Sequence, residues 1–465
     1  MSTFFTFLTQ HKLPSKQAIN RLFSRPLTWQ GVALGALIAL ALTSGYLWII
    51  SANNRFLTQI PAEGGTLTEG VIGSPKLINP ILATTNTDRA LTQLLYIGLV
   101  KKTNDGFAPD LAQTYTNTAS GYTFTLPTNA RWSDGAPLTS SDVAFTYQLA
   151  ATQNPLLQTM QVSTPDAQTV IITSSNPNTD ILSNATLGIM PEHIWDNTPV
   201  EALSDNPYNL KPVGNGPFRV THVQTKNDVT TSITLKRNKF YTNTHPHIHT
   251  YRFVFFANQQ ALLAALGRGR IDVTFDATTA TVAELANRYE LTRIPSPYMI
   301  GIFGRGDVVS QATANTIQQA IDNSSILAIV ENGYVETSDE GSNPPPSSVL
   351  SIAVQNDPEL LRAARALSDT LAPTGIALTI KAFDPGTFED GTQRQQYPIV
   401  LSSQAPAGYQ PIASLYTKSY LLTRDPDISL ALPPILGSPT ERYRFVTDWY
   451  VRHDDVWDIF VKNNQ

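Results

Sequence analysis

The chain contains no cysteine among its 465 residues. That excludes disulfides, thiolate metal sites, a cysteine nucleophile and a lipid-modified N-terminal cysteine. Charge is also sparse, at 15% of residues with a net −5, which argues against a nucleic-acid-binding surface, and no nucleic-acid partner is expected. No P-loop, nucleophile elbow, zinc-protease helix or dinucleotide fingerprint occurs, so neither a cofactor nor catalysis is expected. No internal repeat of fixed period occurs either. The 42% apolar content describes a folded protein, and the length predicts two or three domains.

The longest charge-free run lies near the start. Lys12, Lys16, Arg21 and Arg25 precede it without an acidic residue, and Val32 to Ile50 then carries no charge. As a helix that run would span roughly 29 Å, which matches a hydrocarbon core. Tyr46 and Trp48 suit an interfacial aromatic belt, and the basic flank predicts a cytoplasmic N-terminus. Bulky Leu47-Trp48-Ile49-Ile50 stands where signal cleavage would want small residues. The expectation is a single-pass cell-membrane protein: residues 1–30 cytoplasmic, 31–52 a transmembrane anchor, and the rest extracytoplasmic.

Beyond the anchor, strands and helices alternate. Gly121-Tyr122-Thr123-Phe124-Thr125-Leu126, Ser232 to Asn238 and Tyr251 to Phe255 alternate apolar and polar residues as strands do. Thr139 with Asp142 forms a capping-box-like start for a helix over Val143 to Thr152. Gln259 to Leu266 is a helix closed by Gly267 and Gly269, with a strand from Ile271. Pro358 to Leu371 is an amphipathic helix, Pro398 to Leu401 a buried-type strand, and Glu441 to Tyr450 has the spacing of a closing helix. Helix then strand, repeated, argues for α/β layers.

Two stretches stand out. Pro212-Val213-Gly214-Asn215-Gly216-Pro217-Phe218 sets two glycines between two prolines, which specifies a rigid, sharply bent entry into a strand. Upstream, Trp132-Ser133-Asp134-Gly135 makes a tight turn before the capped helix. This ordered pair, with Gly64-Gly65-Thr66-Leu67, Leu77-Asn79-Pro80 and the Leu235-Lys236-Arg237-Asn238 step, resembles the family 5 extracellular solute-binding proteins. The resemblance is good over roughly Gly64 to Asp276 and loose from Ile317 onward. It implies an α/β, two-lobe, periplasmic-binding-protein-like ectodomain of the large peptide-receptor class (class II). Lobe one would be 62–275, discontinuous; lobe two 276–409; and 410–465 a return to lobe one. The implied function is capture of a peptide or other small-molecule ligand between the lobes and delivery to an ABC transporter permease, with no catalysis. A membrane-anchored hydrolase and an adhesion or structural module are the alternatives.

Few residues carry chemistry of their own. His245, His247 and His249 would share one face of a strand, as imidazole ligands can, but Pro246 breaks regular pairing and no metal is expected. Asp134, Asp142 and Glu192 have local reasons to be in turns and first helical turns. Trp132 reads as a packing aromatic, and Pro344 to Pro346 as a stiff connection. In peptide-binding relatives, the segment after the strand matching Ile399 to Leu401 carries an Asp for the peptide's amino group. Here Ser402-Ser403-Gln404-Ala405-Pro406 has no carboxylate. Ser402, Ser403 and Gln404 are therefore expected to line the cleft, Tyr298 and Phe303 to offer apolar surface, and Asn86 and Tyr416 to add polar contacts. The ligand would then not depend on a free amino terminus.

Overall fold

A computed structural model describes residues 29–457, apart from 104, 119, 277–284, 286–287, 333–347, 384–387, 389–393 and 437. The Pro344 to Pro346 tract lies outside the described residues. The chain divides into two compact units, residues 1–60 with 453–465, and residues 61–452.

In the smaller unit, helix α1 (Trp29–Phe56) runs into strand β1 (Leu57–Pro61), which pairs with the last strand (His453–Trp457). The α1 side chains from Val32 to Trp48 lie mostly exposed, Leu34 at 60% and Trp48 at 73% among them. Among the described residues, no helix is long and apolar enough to cross a membrane. The expected transmembrane helix is therefore not supported by the structure.

The larger unit starts with β2 (Thr66–Ile72), α2 (Asn86–Leu95) and the hairpin β3 (Val100–Thr103) and β4 (Gly106–Pro109). A separate four-stranded sheet follows, ordered β5 (Thr114–Thr118), β6 (Gly121–Thr125), β8 (Thr169–Ser174), β7 (Met160–Ser163). Helix α3 (Ser140–Gln153) packs on it. The cap expected of α3 is present: Asp142 accepts the Thr139 N–H at 2.9 Å through Oδ2. Through Oδ1, Asp142 also accepts the Glu192 N–H at 2.9 Å, which ties α3 to the short helix Glu192–Trp195. Asp134 instead meets His193 at 2.9 Å, near the surface.

The main sheet has ten strands. Beside β2 lie β11 (Thr250–Phe256), β10 (Val229–Arg237) and β9 (Phe218–Lys226); on its other side come β12 (Val273–Thr274) and β17 (Tyr409–Arg424). From β17 the order continues through β13 (Glu290–Arg305), β16 (Ile399–Ser402), β14 (Ser348–Gln355) and β15 (Ile376–Phe383). Strands β14, β15 and β16 are parallel, and helix α9 (Pro358–Leu371) crosses over from β14 to β15 as a βαβ unit requires. Two helices, Gln311–Ala320 and Asn323–Asn332, lie between β13 and β14. The closing helix forms only as a 3-10 segment, Pro439–Asp448, interrupted at Phe445.

Two cores result. One gathers Leu67, Leu91, Phe124, Trp132, Tyr251 and Trp449; the other gathers Ile302, Ile317, Ile352, Leu367 and Leu401. Trp132 is wholly buried, a packing aromatic. Strands β13 and β17 pass from one core to the other: Ile294 and Leu422 belong to the first, Ile300 and Leu415 to the second.

The Pro212 to Phe218 stretch is a junction of the first core. Asn215 accepts the Ile97 N–H at 2.9 Å and donates to the Ile97 carbonyl at 3.2 Å. The Gly216 N–H donates to the Leu95 carbonyl at 2.8 Å, and the Ser133 N–H donates to the Gly214 carbonyl at 2.9 Å. Gly214 sits so close to α2 that a Cβ there would come within 1.9 Å of the Leu95 oxygen. Glycine is needed here for backbone approach.

Candidate functional site

The passage between the cores has a physical cause in the sequence. Pro295 and Pro297 lack the N–H that a ladder needs, and proline in a paired strand is confined to edges and bulges. The β13–β17 register accordingly breaks between Pro295 opposite Ser419 and Met299 opposite Thr417. Ser296, Pro297 and Tyr298 bulge out of β13 there, with Lys418 opposite on β17. A bulge bends the strand that carries it.

Beside this bend lies a cavity of about 290 Å³ walled by both cores. The first core contributes Val71 and Ile72 at the end of β2, Asn86 and Ala90 of α2, and Phe275 and Asp276 after β12. The second contributes Leu327, Val330, the start of α9 and Tyr416, from which β17 runs along the cavity to Tyr420 at the first core.

Its floor on the first side is a buried ion pair. Glu69, fully buried in β2, accepts from Arg442 Nη2 at 2.7 Å, from the Tyr443 hydroxyl at 2.9 Å and from the Tyr251 hydroxyl. The Arg442 guanidinium lies between the rings of Phe275 and Tyr443, at 4.3 and 4.4 Å from their centroids. Charges taken out of water are tolerated when the remaining lone pairs are also bonded, and here they are. Burial, reinforced by the Glu69 charge, pushes both phenols well above their ordinary value, so they stay protonated donors.

Asp276 lies next to this pair. Its Oδ2 accepts the Ile72 N–H at 2.7 Å. Burial pushes its carboxyl up to about 6; Arg442 pulls it down, while Glu69 and Asp357 push it further up. The Asp357 contribution comes from the opposite wall.

That wall is built by the start of α9. Asp357 caps the helix, its Oδ1 accepting from the N–H groups of Glu359 at 2.8 Å and Leu360 at 3.3 Å. Lys418 Nζ sits 3.3 Å from Glu359 and 3.8 Å from Asp357, one ammonium between two carboxylates. Burial raises the Glu359 carboxyl and Lys418 draws it back. Tyr416 is 6% exposed, and its hydroxyl is buried without a hydrogen-bond partner. Burial and the neighbouring Glu359 both hold that phenol protonated.

Of the residues singled out from sequence, Asn86 and Tyr416 line this cavity together. Ser402, Ser403, Gln404, Tyr298 and Phe303 do not. Ser402 is buried and donates to the Gln404 carbonyl at 2.5 Å, and Ser403 and Gln404 are exposed. Tyr298 is half-buried in the β13 bulge, and Phe303 packs with Phe383, Phe388, Val400 and Tyr409. The three histidines point apart: His245 onto Tyr241, His247 onto Tyr450, and His249 toward Glu63 at 3.9 Å. The sequence reading missed Glu69, Asp276, Asp357, Glu359, Lys418 and Arg442. A signal existed for two of them, because Asn356-Asp357-Pro358-Glu359 is a helix-start pattern and Glu69 interrupts an apolar strand.

Comparison with known proteins decides the lineage. The profile of the bacterial extracellular solute-binding proteins, family 5 Middle, matches residues 106–347, just over half of the chain. The chain belongs to that family. The proteins of that family are solute-binding receptors. It is 29% identical over 207 residues to a putative ABC transporter peptide-binding protein of Brucella ovis, covering 42% of this chain and 38% of that one. The chain thus spans well under half the length of the curated relatives it matches.

The fold is that of solved two-lobe relatives. CtaP of Listeria monocytogenes, an ABC transporter substrate-binding protein, superposes with a TM-score of 0.65 at 18% identity, over 84% of this chain and 100% of that one. The oligopeptide-binding protein AppA of Bacillus subtilis, solved with a nonapeptide, gives 0.65 at 16%, over 84% and 100%.

Proposed function

We propose that this solute-binding protein captures a peptide-like or other small polar ligand between its two lobes and delivers it to an ABC-type permease. The observation that carries the reading is the cavity whose two walls belong to different cores, bridged by the bulged pair β13 and β17. A few backbone positions in such a bridge suffice for hinged closure over a ligand. The volume sits at the lower end of the ~300–1,000 Å³ usual for ligand pockets, so an occupant of small-molecule size fits without further opening. The peptide assignment follows the likeness to AppA and to the Brucella protein.

The Ser402 to Gln404 segment is kept as an outer contact. Replacing Gln404 with Ala weakens binding by about 1–3 kcal/mol if its amide pairs with buried ligand groups. Unchanged affinity removes the segment from the site. Membrane anchoring is the finer part of the proposal, supported by the charge-free Val32 to Ile50 sequence behind its basic flank and by the helical backbone of α1. Anchoring near a permease raises the effective ligand-receptor concentration there.

The test is mass spectrometry of the small molecule that co-purifies with the full chain, followed by small-angle scattering with and without it. Compaction on binding is expected. Equal radii at saturation, or release of a chemically altered product, would count against capture by closure.

A further inference from the structure

Resting on the receptor reading, we propose that the cavity holds a subsite for a cationic group, an ammonium or a guanidinium, between Asp276 on one wall and Tyr416 with Glu359 on the other. The subsite lies on different residues from the 402–406 segment, which has no carboxylate.

Three observations converge on it. The first is the pairing of the charges that line the cavity. Arg442 is engaged by Glu69 at 2.7 Å, and Lys418 is shared by Glu359 and Asp357. Arg362 donates through Nε to the Val330 carbonyl at 3.2 Å, and Arg293 stands exposed on β13. Among the described residues, no cation lies within ion-pair distance of Asp276. Among the described residues its carboxyl accepts one hydrogen bond, the Ile72 N–H on Oδ2, and Oδ1 has none. A half-buried carboxylate without a cation carries part of the cost of desolvation, and a ligand's charge offsets it.

The second is Tyr416, 6% exposed, lining the same cavity with its hydroxyl unbonded. A phenol oxygen with no partner keeps its lone pairs for an incoming N–H. Burying that oxygen without a partner is costly, so an occupant is favoured there. Gln259, at the start of the helix Gln259–Gly267, also lines the cavity with a buried amide nitrogen that has no partner, which suits a carbonyl elsewhere on the same ligand.

The third is the position of the carboxylates. Asp276 and Asp357 stand on opposite walls of the cavity, and the Asp357 charge adds to the cost of ionising Asp276. Like charges facing across a cleft oppose its closure. A cation between them reverses the sign, so the group that binds also draws the lobes together. Selection of the ligand and closure thereby become one event.

The experiment uses the full chain and a thermal-shift and calorimetry panel: lysine, arginine, alanyl-alanine, N-acetyl-alanyl-alanine amide, and the co-purified molecule where one is found. Binding is expected only for members with a cationic nitrogen, and about tenfold or more weaker in Asp276→Asn and in Tyr416→Phe. Asparagine keeps an oxygen for the Ile72 N–H, and Tyr416→Phe tests the subsite without touching that bond. Equal binding of the acetylated amide, undiminished affinity in both variants, or no binding by any cationic member overturns the subsite. In the first two cases the receptor reading survives. If no member binds and nothing co-purifies, the receptor reading fails with it.

Discussion

Replacing Asn215 with alanine removes the side chain on which the Pro212 to Phe218 junction turns. The amide accepts the Ile97 N–H at 2.9 Å and donates to the Ile97 carbonyl at 3.2 Å. The two losses are unequal. The carbonyl keeps a second donor, the Ile189 N–H at 3.1 Å, whereas the Ile97 N–H is left buried with nothing. An orphaned buried N–H costs about 1–3 kcal/mol and a lost but replaceable bond about 0.5–1.5, so the total is about 1.5–4.5 kcal/mol. Hydrogen exchange at the Ile97 amide reads the local loss, and the urea midpoint at constant m reads the global one. Gly214→Ala provides the comparison. Its Cβ would meet the Leu95 oxygen, which is already bound by Gly216, so relief requires moving α2 or the turn. That variant loses more than about 4 kcal/mol. Unchanged exchange at Ile97 with a global loss below about 1 kcal/mol in Asn215→Ala would refute the reasoning.

Three further outcomes are expected. Asp110, pushed by burial up to about 6, is favoured neutral in the fold, so its contribution is full below its unfolded value and is lost as pH rises through about 6. Asp110→Asn, which still accepts from Asn243, therefore stabilises by about 1–2 kcal/mol at pH 7 after discounting for solvent access, and by nothing near pH 3; equal effects at both would refute this. Arg442→Met strands Glu69 and costs about 3–5 kcal/mol in thermal unfolding, much of it recovered by adding Glu69→Gln; a single-variant loss below about 1 kcal/mol argues against the buried pair. The mature protein keeps residues 1–50 and stays with membranes after a high-salt wash, and N-terminal sequencing that begins near Ala52 or Ala62 would sink the anchor.

Local order was legible because its causes are local. Thr139 and Asp142 announce the cap of α3 by their spacing, Pro358 at a first helical position announces α9, and alternation announces β6, β10 and β11. The two glycine-containing turns were legible as a pair, although only the fold shows them bonded, Ser133 to Gly214. The long strands β13 and β17 escaped the reading, since Pro295 and Pro297 make β13 look broken in sequence when it is bulged in space.

The cavity was decided by tertiary structure alone. Glu69, Asp276, Asp357, Lys418 and Arg442 come from five segments, and a carboxylate in a strand or helix cap looks ordinary until its neighbours are known. Sequence determined which backbone each segment adopts, because propensity, capping and turn chemistry act over a few residues. Which side chains share one cleft depends on pairing between strands more than a hundred residues apart, such as β2 with β12 and β13 with β17. Charge in that cleft acquires its meaning from burial, and burial is a property of the folded whole.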